Sequence, residues 1–374
     1  MRIGVTKKLE TIYHLELLRS VLWASFVIFF PVILFQKCGL GCSLLFLMLS
    51  YSIFPIFSPF LAWYISRRKV LFSYFLYFLL MFIAVIASPL VKKNTLMVLF
   101  FIPFLTGISL SLYYLPFHTS LAKYGKEKIT KNVSFLLLIS TCINTFFPVL
   151  TAIFIKVYGI MGFYIFLTSF IFFFALFLST KYKSYLSEKI IFEIKMPKKR
   201  HSLFILEGAV WSIPRILPIF VYQLTGSVMK TGIIFSAASL LSSVISYLIL
   251  PFLKLEKNRI IRTISFSLSY PESFLMISNS PFICNLNYLI SRCVRCFFWP
   301  IYFGSICLRS KEDKTLSNTF FWRELFGRFG ELFIYIVGLI TLSFRWMFTI
   351  AILANFLGSI VMYNTFAKES MMKD

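Results

Sequence analysis

Ionisable side chains embedded in long apolar stretches are the residues of this chain with chemistry to offer. Glu207 and Arg215 fall in one such stretch, Glu272 in another, Arg292 and Arg295 in a third, and Arg323, Glu324, Arg328 and Glu331 in a fourth. A charge at the centre of a bilayer costs at least about 2.5 to 3.5 kcal/mol, so it faces a partner or a water-filled cavity and marks a functional site. At 1.5 Å of rise per residue, Arg215 lies about 18 Å into its stretch, Arg295 about as far from the opposite end, and Glu331 about 16 Å in. These depths place all three near the midplane. Arg215, Arg295 and the neighbouring Arg292 are candidates for attracting an anionic group on a substrate, with Glu331 as counter-ion or proton site. A permanent buried ion-pair network locking the second half of the chain accounts for the same residues equally well.

Spacing refines the set. Glu324, Arg328 and Glu331 fall at i, i+4 and i+7 on one helix face, which predicts an intrahelical salt-bridge ladder. Arg323 and Glu324 lie close enough to the end of their stretch to be interfacial, and Glu207, one turn in, is read as snorkelling to the surface. Glu272 follows Pro271, where a freed carbonyl beside a carboxylate can form a proton or cation site. The candidates for coupling or gating are therefore Glu272, Glu207, Arg328, Glu324 and His118. Glu16 and Arg19 are three residues apart and are expected to pair. Pro214 and Pro218 bracket Arg215, which marks that segment as a gating helix.

Such residues need a scaffold of membrane helices, and the composition supplies one. Of 374 residues, 59% are hydrophobic and 14% charged, and the mean hydropathy is +0.84, far more apolar than a soluble domain. A helix needs about 20 apolar residues to cross about 30 Å of hydrocarbon. Segments of that length run near Leu15 to Phe35, Cys42 to Ile65, Val70 to Leu90, Leu96 to Phe117, Val133 to Ile155 and Gly159 to Ser179. They continue near Leu203 to Gln223, Thr231 to Leu253, Ile261 to Ser280, Ile283 to Leu308, Phe320 to Ser343 and Trp346 to Phe366. The expected fold class is an all-α polytopic membrane protein with 12 transmembrane helices. Its 47 Phe and 19 Tyr are expected mostly to face lipid.

Basic charge alternates between the linkers, and cytoplasmic loops are the ones that collect Lys and Arg. The amino terminus, the loop Arg67-Arg68-Lys69, the linker from Lys123 to Lys131, the linker from Lys181 to Arg200 and every second linker after it hold about 26 basic residues, against about 6 in the intervening turns. Both termini then fall on the cytoplasmic side of a multi-pass protein of the cell membrane, an inner membrane on this reading. The net charge of +24 is spread over separate loops between apolar spans, which insertion and anionic lipid explain; this distribution argues against a nucleic-acid partner. The polar leader through Tyr13 runs straight into the first span, so no cleaved signal peptide is expected. Cys142, Cys293, Cys296 and Cys307 lie inside predicted helices, so seven cysteines make no disulfide framework. Cys38 and Cys42 flank one outer turn and either pair or stay reduced. The Cys293/Cys296 spacing has no second Cys or His pair beside it, and no metal or cofactor is implied.

The longest polar linker, residues 181–202, divides the chain into an amino-terminal half, 1–180, and a carboxy-terminal half, 203–374, of six spans each. Shifting the first half by about 185 positions lays Arg67 to Lys69 over the basic linker from Lys254, and Lys126 to Thr130 over Lys311 to Thr315, as internal repeats of transporters do. Ser58-Pro59-Phe60-Leu61-Ala62-Trp63-Tyr64-Ile65-Ser66-Arg67-Arg68-Lys69 resembles a degraded form of the signature between the second and third helices of the major facilitator superfamily. Pro59 and Trp63 stand where that family has glycine and aspartate, so only the basic end remains. Further similarity lies in Leu115-Pro116-Phe117-His118, Leu206-Glu207-Gly208 and Trp322-Arg323-Glu324-Leu325-Phe326-Gly327-Arg328. The resemblance to poorly characterised bacterial branches of the family implies the major facilitator fold, with helices one, four, seven and ten around a central cavity.

The function that follows is secondary active transport of a small solute, anionic if the deep arginines meet it, by alternating access between the halves. A proton is the expected coupling ion, and the protein is expected to be a monomer in the lipid bilayer. A transport-fold protein acting as receptor or assembly factor is the alternative. A membrane-embedded lipid-linked transferase ranks lower: the outer linkers carry no Asp, Glu or His, and His14, His118 and His201 are scattered, so no enzyme is expected. Nor is there a phosphate-binding loop for ATP.

Overall fold

The structure is a computed structural model and describes residues 2–89, 95–125, 129–181, 189–195, 201–249, 265, 266, 268, 271, 280–312 and 316–370. Among these, every regular element is a helix, as hydrocarbon demands: a helix satisfies its own backbone polar groups where no water can. The order begins α1 (Arg2–Leu22), a π turn (Trp23–Val27), α2 (Ile28–Met48), a second π turn (Leu49–Ile53), a 3-10 turn (Phe54–Ile56), α3 (Ser58–Ser66), α4 (Val70–Ala87), α5 (Thr95–Gly125) and α6 (Ile129–Lys181). It continues α7 (His201–Trp211), α8 (Ile213–Thr225), α9 (Val228–Ile249), α10 (Pro281–Glu312), α11 (Leu316–Thr341) and α12 (Phe344–Ser370). Among the described residues, seven stretches are long and apolar enough to cross a membrane. The ninth expected span lies outside the described residues except Ser265, Phe266, Leu268, Pro271 and Ser280, and Glu272 lies outside them.

Two of the seven stretches, Glu10–Ile56 and Asn132–Phe173, contain 47 and 42 residues, about twice what one crossing needs. Each reverses at a glycine. Gly39 (φ +82°) and Gly159 (φ +69°) take the left-handed backbone that glycine adopts without steric cost. Ser43 then donates to the Pro31 carbonyl at 3.0 Å, and the rings of Phe154 and Phe166 stack at 4.8 Å. Gly226 (φ +63°) caps α8, its N–H donating to the Tyr222 carbonyl at 2.8 Å. Leu342 (φ +46°) turns the chain between α11 and α12, with its N–H on the Gly338 carbonyl at 2.8 Å. These four turns fall in four of the six bare linkers of the charge pattern.

Inside the bundle, α7 and α11 cross with their backbones in contact. A Cβ on Gly208 would overlap the Gly327 carbonyl, and one on Gly330 would overlap the Ile205 carbonyl. The segments Leu206-Glu207-Gly208 and Trp322 to Arg328 therefore meet face to face. Pro214 at the start of α8 separates it from α7 at Ser212, whose hydroxyl donates to the Ala209 carbonyl at 2.7 Å. The lipid-facing reading of the aromatics is corrected for tyrosine. Tyr74, Tyr113, Tyr302 and Tyr335 are fully buried, while Phe57, Phe146, Phe173 and Phe282 lie on the outer surface. Of these four, Tyr113 has a hydroxyl that donates to Glu16 Oε2 at 3.0 Å, a partner that hydrocarbon does not offer.

Candidate functional site

Four charged residues on α11 are buried in the protein, Arg323 and Glu324 at 2% exposure, Arg328 at 1% and Glu331 at 0%. Arg328 donates from Nη2 to Glu324 Oε2 at 2.5 Å, and its Nη1 lies 3.4 Å from both oxygens of Glu331. The i, i+4, i+7 ladder is thus formed, and it extends sideways. Glu331 Oε2 lies 2.5 Å from Arg215 Nη1, tying α8 to α11. Arg323 meets Glu207 of α7 with two bonds, Nε to Oε2 at 3.0 Å and Nη2 to Oε1 at 2.5 Å. Glu207 has 0% exposure, so its reading as snorkelling is corrected, as is the interfacial reading of Arg323 and Glu324. The glycine contact between α7 and α11 brings acid and base together inside the bundle, which removes any need to reach the surface.

Aromatic rings complete the cluster. The Arg215 guanidinium sits 4.0 Å from the Tyr51 ring centre, and Arg323 sits 4.7 Å from that of Trp211. Tyr51 belongs to the second π turn, and its carbonyl accepts from Arg328 Nη1 at 3.4 Å. Turns of this kind interrupt the regular backbone ladder and recur at functional sites. The three carboxylates Glu207, Glu324 and Glu331 balance Arg215, Arg323 and Arg328, so the cluster is formally neutral.

A cavity of about 210 Å³ lies beside it, between α1, α5, α6, α8, α9 and α10. A second, of about 140 Å³, shares Trp23, Tyr114, His118, Pro214, Arg295 and Trp299 with the first and reaches Arg215, Arg323, Glu324 and Arg328. Among the described residues, the ionised side chains lining the larger cavity are Arg19, Arg292 and Arg295 against Glu16. Arg19 is held by Glu16 through Nε at 2.8 Å and by a second bond from Nη2. Tyr113 donates to the same carboxylate at 3.0 Å. Arg292 and Arg295 both stand on α10.

Of the residues singled out by sequence, Arg295 lines both cavities, Arg292 the larger and Arg215 the smaller, whereas Glu331 lines neither of the two. His118 lines both, packed against the rings of Phe303 at 4.9 Å and Phe320 at 5.3 Å. Its Nδ1 is 3.9 Å from Glu324 Oε1, outside hydrogen-bond reach. Glu207 faces α11 and lines neither described cavity. Sequence reasoning passed over Trp23, Tyr51, Tyr114 and Trp299. A signal was present for two of them: Trp23 follows Arg19, and Trp299 follows Arg295, by four residues, one turn along the same face.

The basic loop lies apart from the cavities, where a piece of the long linker crosses the bundle. The Ile190 N–H donates to the Ser66 carbonyl at 2.9 Å, and Trp63 Nε1 to the Phe192 carbonyl at 3.1 Å. At its other end the Lys195 carbonyl accepts from Asn318 Nδ2 at 2.5 Å and Trp322 Nε1 at 2.8 Å. Residues 189–195 thus strap the end of α3 to the start of α11. Arg67 lies 4.8 Å from the Trp63 ring centre, and Arg68 5.3 Å from that of Tyr64; Lys69 is exposed at the loop's end. Glu193 and Lys195 pair at 2.8 Å on the exposed side of the strap, and the hydrogen bond from the ammonium holds that carboxyl below the usual carboxylate range.

The overall fold recurs in solved structures. A bacterial homologue of the iron transporter ferroportin, outward-facing with soaked iron, superposes with a TM-score of 0.67 at 14% identity, over 96% of this chain and 98% of that one. The fold is that of the major facilitator transporters. A POT family transporter in complex with a thioalcohol-conjugated peptide gives 0.68 at 11% identity, over 98% and 97% of the two chains. A peptide transporter POT in complex with sulfate gives 0.65 at 12%, over 95% and 94%. No family model and no curated protein matches the sequence. These neighbours are transporters and not enzymes, and the chain is a multi-pass membrane protein.

Proposed function

We propose that this protein is a secondary active transporter that moves a small anionic solute across the cell membrane by alternating access. The observation that carries this reading is the cavity between α1, α5, α6, α8, α9 and α10, whose lining holds more guanidinium groups than carboxylates. Twelve spans in two six-helix halves, 1–180 and 203–374, rock about it. Support comes from the glycine turns: Gly226 follows Gly39, and Leu342 follows Gly159, by about 185 positions, the offset of the repeated loops. Both termini are cytoplasmic, by the bias of basic residues.

Roles divide between the cluster and the cavity. Arg295 and Arg292 attract the solute. Arg215, closed on Glu331, belongs to the mechanism that couples α8 to α11, with Glu331 and His118 as the groups through which a proton acts. Opening toward the cytoplasm requires the strap 189–195 to leave α3 or α11. Purified protein reconstituted into liposomes tests this directly: accumulation of a small organic anion, abolished by Arg295→Gln and driven by an imposed pH gradient, is the expected result. Accumulation that ignores the gradient removes the proton, and none at all for any anion removes transport.

One observation favours a second reading. Arg215 on the Tyr51 ring and Arg328 on the Tyr51 carbonyl tie the second half to the first, as in a bundle that is locked and does not rock. In a receptor or assembly factor of this fold, the cavity binds a ligand without moving it. Binding without accumulation distinguishes that case.

A further inference from the structure

We infer that Glu16 is where a proton is exchanged for the solute: protonation of Glu16 releases Arg19, and the anionic group of the solute takes the place of the carboxylate on that guanidinium. This rests on the reading of the cavity as an anion site and names the residues that couple the anion to a proton.

Position comes first. Among the described residues, Glu16 is the one carboxylate lining the larger cavity, whereas Glu331 lines neither cavity. Arg19, one turn along α1, meets it with two bonds, Nε to Oε2 at 2.8 Å and Nη2 to Oε1. The remaining nitrogen, Nη1, donates to the Tyr114 hydroxyl at 3.2 Å. A two-bond pair of this kind matches one edge of a guanidinium to one carboxylate, so Glu16 and a solute carboxylate compete for the Nε and Nη2 edge. The solute can reach it, because Arg19 lines the cavity and keeps 15% of its side chain exposed.

The surroundings suit the carboxyl in both protonation states. When ionised, Glu16 accepts from Arg19, from the Tyr113 hydroxyl at 3.0 Å and from the Ser20 hydroxyl at 3.3 Å. Ser20 has a second acceptor, Ser140 Oγ on α6 at 3.0 Å, and its hydroxyl carries one proton. A protonated Glu16 can therefore donate to Ser20 Oγ while Ser20 donates onward to Ser140. Neither state leaves the buried carboxyl without a partner, a lack that would be costly. The charges balance: one proton enters from water onto Glu16, one monoanion settles on Arg19, and the net charge of the site is unchanged. Tyr113, Tyr114 and His118 on α5 and Tyr74 and Tyr77 on α4 also face the pair, and Arg292 and Arg295 line the same cavity from α10.

Calorimetric titration of the full chain in detergent with acetate, lactate and benzoate, at about pH 6, 7 and 8, tests the exchange. All three probes stay ionised over that range, so the pH dependence comes from the protein. The tightest of the three is expected to bind about tenfold more strongly for each unit the pH falls, as uptake of one proton per anion requires. Glu16→Gln fixes the uncharged state, and it is expected to bind that probe with an affinity that no longer varies with pH. Glu16→Gln combined with Arg19→Gln is expected to lose binding, and unchanged thermal melting shows that each variant folds. Binding by the unmodified protein that does not vary with pH, a pH dependence that survives Glu16→Gln, or binding that survives the double variant overturns the exchange. Accumulation of the same anion in liposomes would then leave the transport reading standing. Failure of all three probes to bind either the unmodified protein or Glu16→Gln also overturns it, even if liposomes accumulate another solute. The expected pH-dependent binding without accumulation supports the exchange and removes transport.

Discussion

Glu207 on α7 and Arg323 on α11 form a two-bond ion pair 116 positions apart in sequence, with bonds of 3.0 and 2.5 Å and both residues buried. Removing one member leaves the other charged, buried and uncompensated, a loss of about 3–5 kcal/mol in typical cases. Arg323→Leu and Glu207→Leu are each expected to lower the thermal melting temperature in detergent, and the double variant to recover most of the loss. If the double variant melts with the worse of the two single variants, the pair is not an isolated clamp and the Trp211 ring against Arg323 carries part of the effect.

Arg215 and Glu331 make the corresponding link between α8 and α11, but with Arg328 sharing the same carboxylate at 3.4 Å. Neutralising Glu331 therefore leaves two guanidinium groups facing an amide. Glu331→Gln is expected to retain solute accumulation in liposomes, since Glu331 lines neither described cavity, but to lose its response to a pH gradient. Retained gradient-driven accumulation in that variant would assign proton coupling elsewhere, with His118 the next group to replace.

Much of this site is written locally, and the rest is not. The ladder of Glu324, Arg328 and Glu331 follows from helix periodicity alone, because the partners lie within two turns of one helix. Depth along an apolar stretch was enough to single out Arg215 and Arg295. The partner of Glu207 was not legible, because what brings Arg323 to it is the contact of Gly208 with Gly327 across two helices. The four glycine or leucine turns coincide with four of the six bare linkers, since a turn of one or two residues has no room for a basic cluster. Trp23 and Trp299 were passed over because the aromatics were weighed only as Phe and Tyr facing lipid. Both stand one helical turn from an arginine.

The strap predicts a conformational effect separable from folding. Asn318 and Trp322 hold the Lys195 carbonyl from α11, at 2.5 and 2.8 Å, so Asn318→Ala combined with Trp322→Phe frees that end while the bonds to Ser66 and Trp63 persist. In inside-out vesicles a cysteine placed at Leu121, which lines the larger cavity, is expected to react with an impermeant thiol reagent several-fold faster in the freed background. An unchanged rate shows that the strap does not restrain opening.

The same strap sets a pH expectation. Glu193 carries a depressed pKa from its bond with Lys195, so the pairing is complete above the ordinary carboxylate value and is lost as pH falls through the lower, folded value. Between pH 6 and pH 8 the pair does not change, and the strap is held by backbone and side-chain bonds that do not titrate there. Labelling at position 121 is therefore expected to be flat over that range once the reagent's own pH dependence is subtracted. A break in the profile near neutrality would show that a group outside the strap responds.

The contact between α7 and α11 makes the sharpest demand on residue size. A methyl group at Gly208 or Gly330 meets a backbone carbonyl of the facing helix, and a backbone cannot swing aside as a side chain does. Overpacking of this kind commonly costs about 1–3 kcal/mol, and more where the neighbour is rigid. Here it also pushes Glu207 away from Arg323. Gly208→Ala is therefore expected to lower the melting temperature at least as much as Arg323→Leu, whereas Gly41→Ala, whose nearest neighbour is a Leu342 side-chain carbon at 3.8 Å, is expected to be neutral. Combining Gly208→Ala with Arg323→Leu decides the coupling: if the ion pair depends on the close crossing, the double variant falls well short of the summed losses. Full additivity would show that the crossing and the pair stabilise the bundle independently.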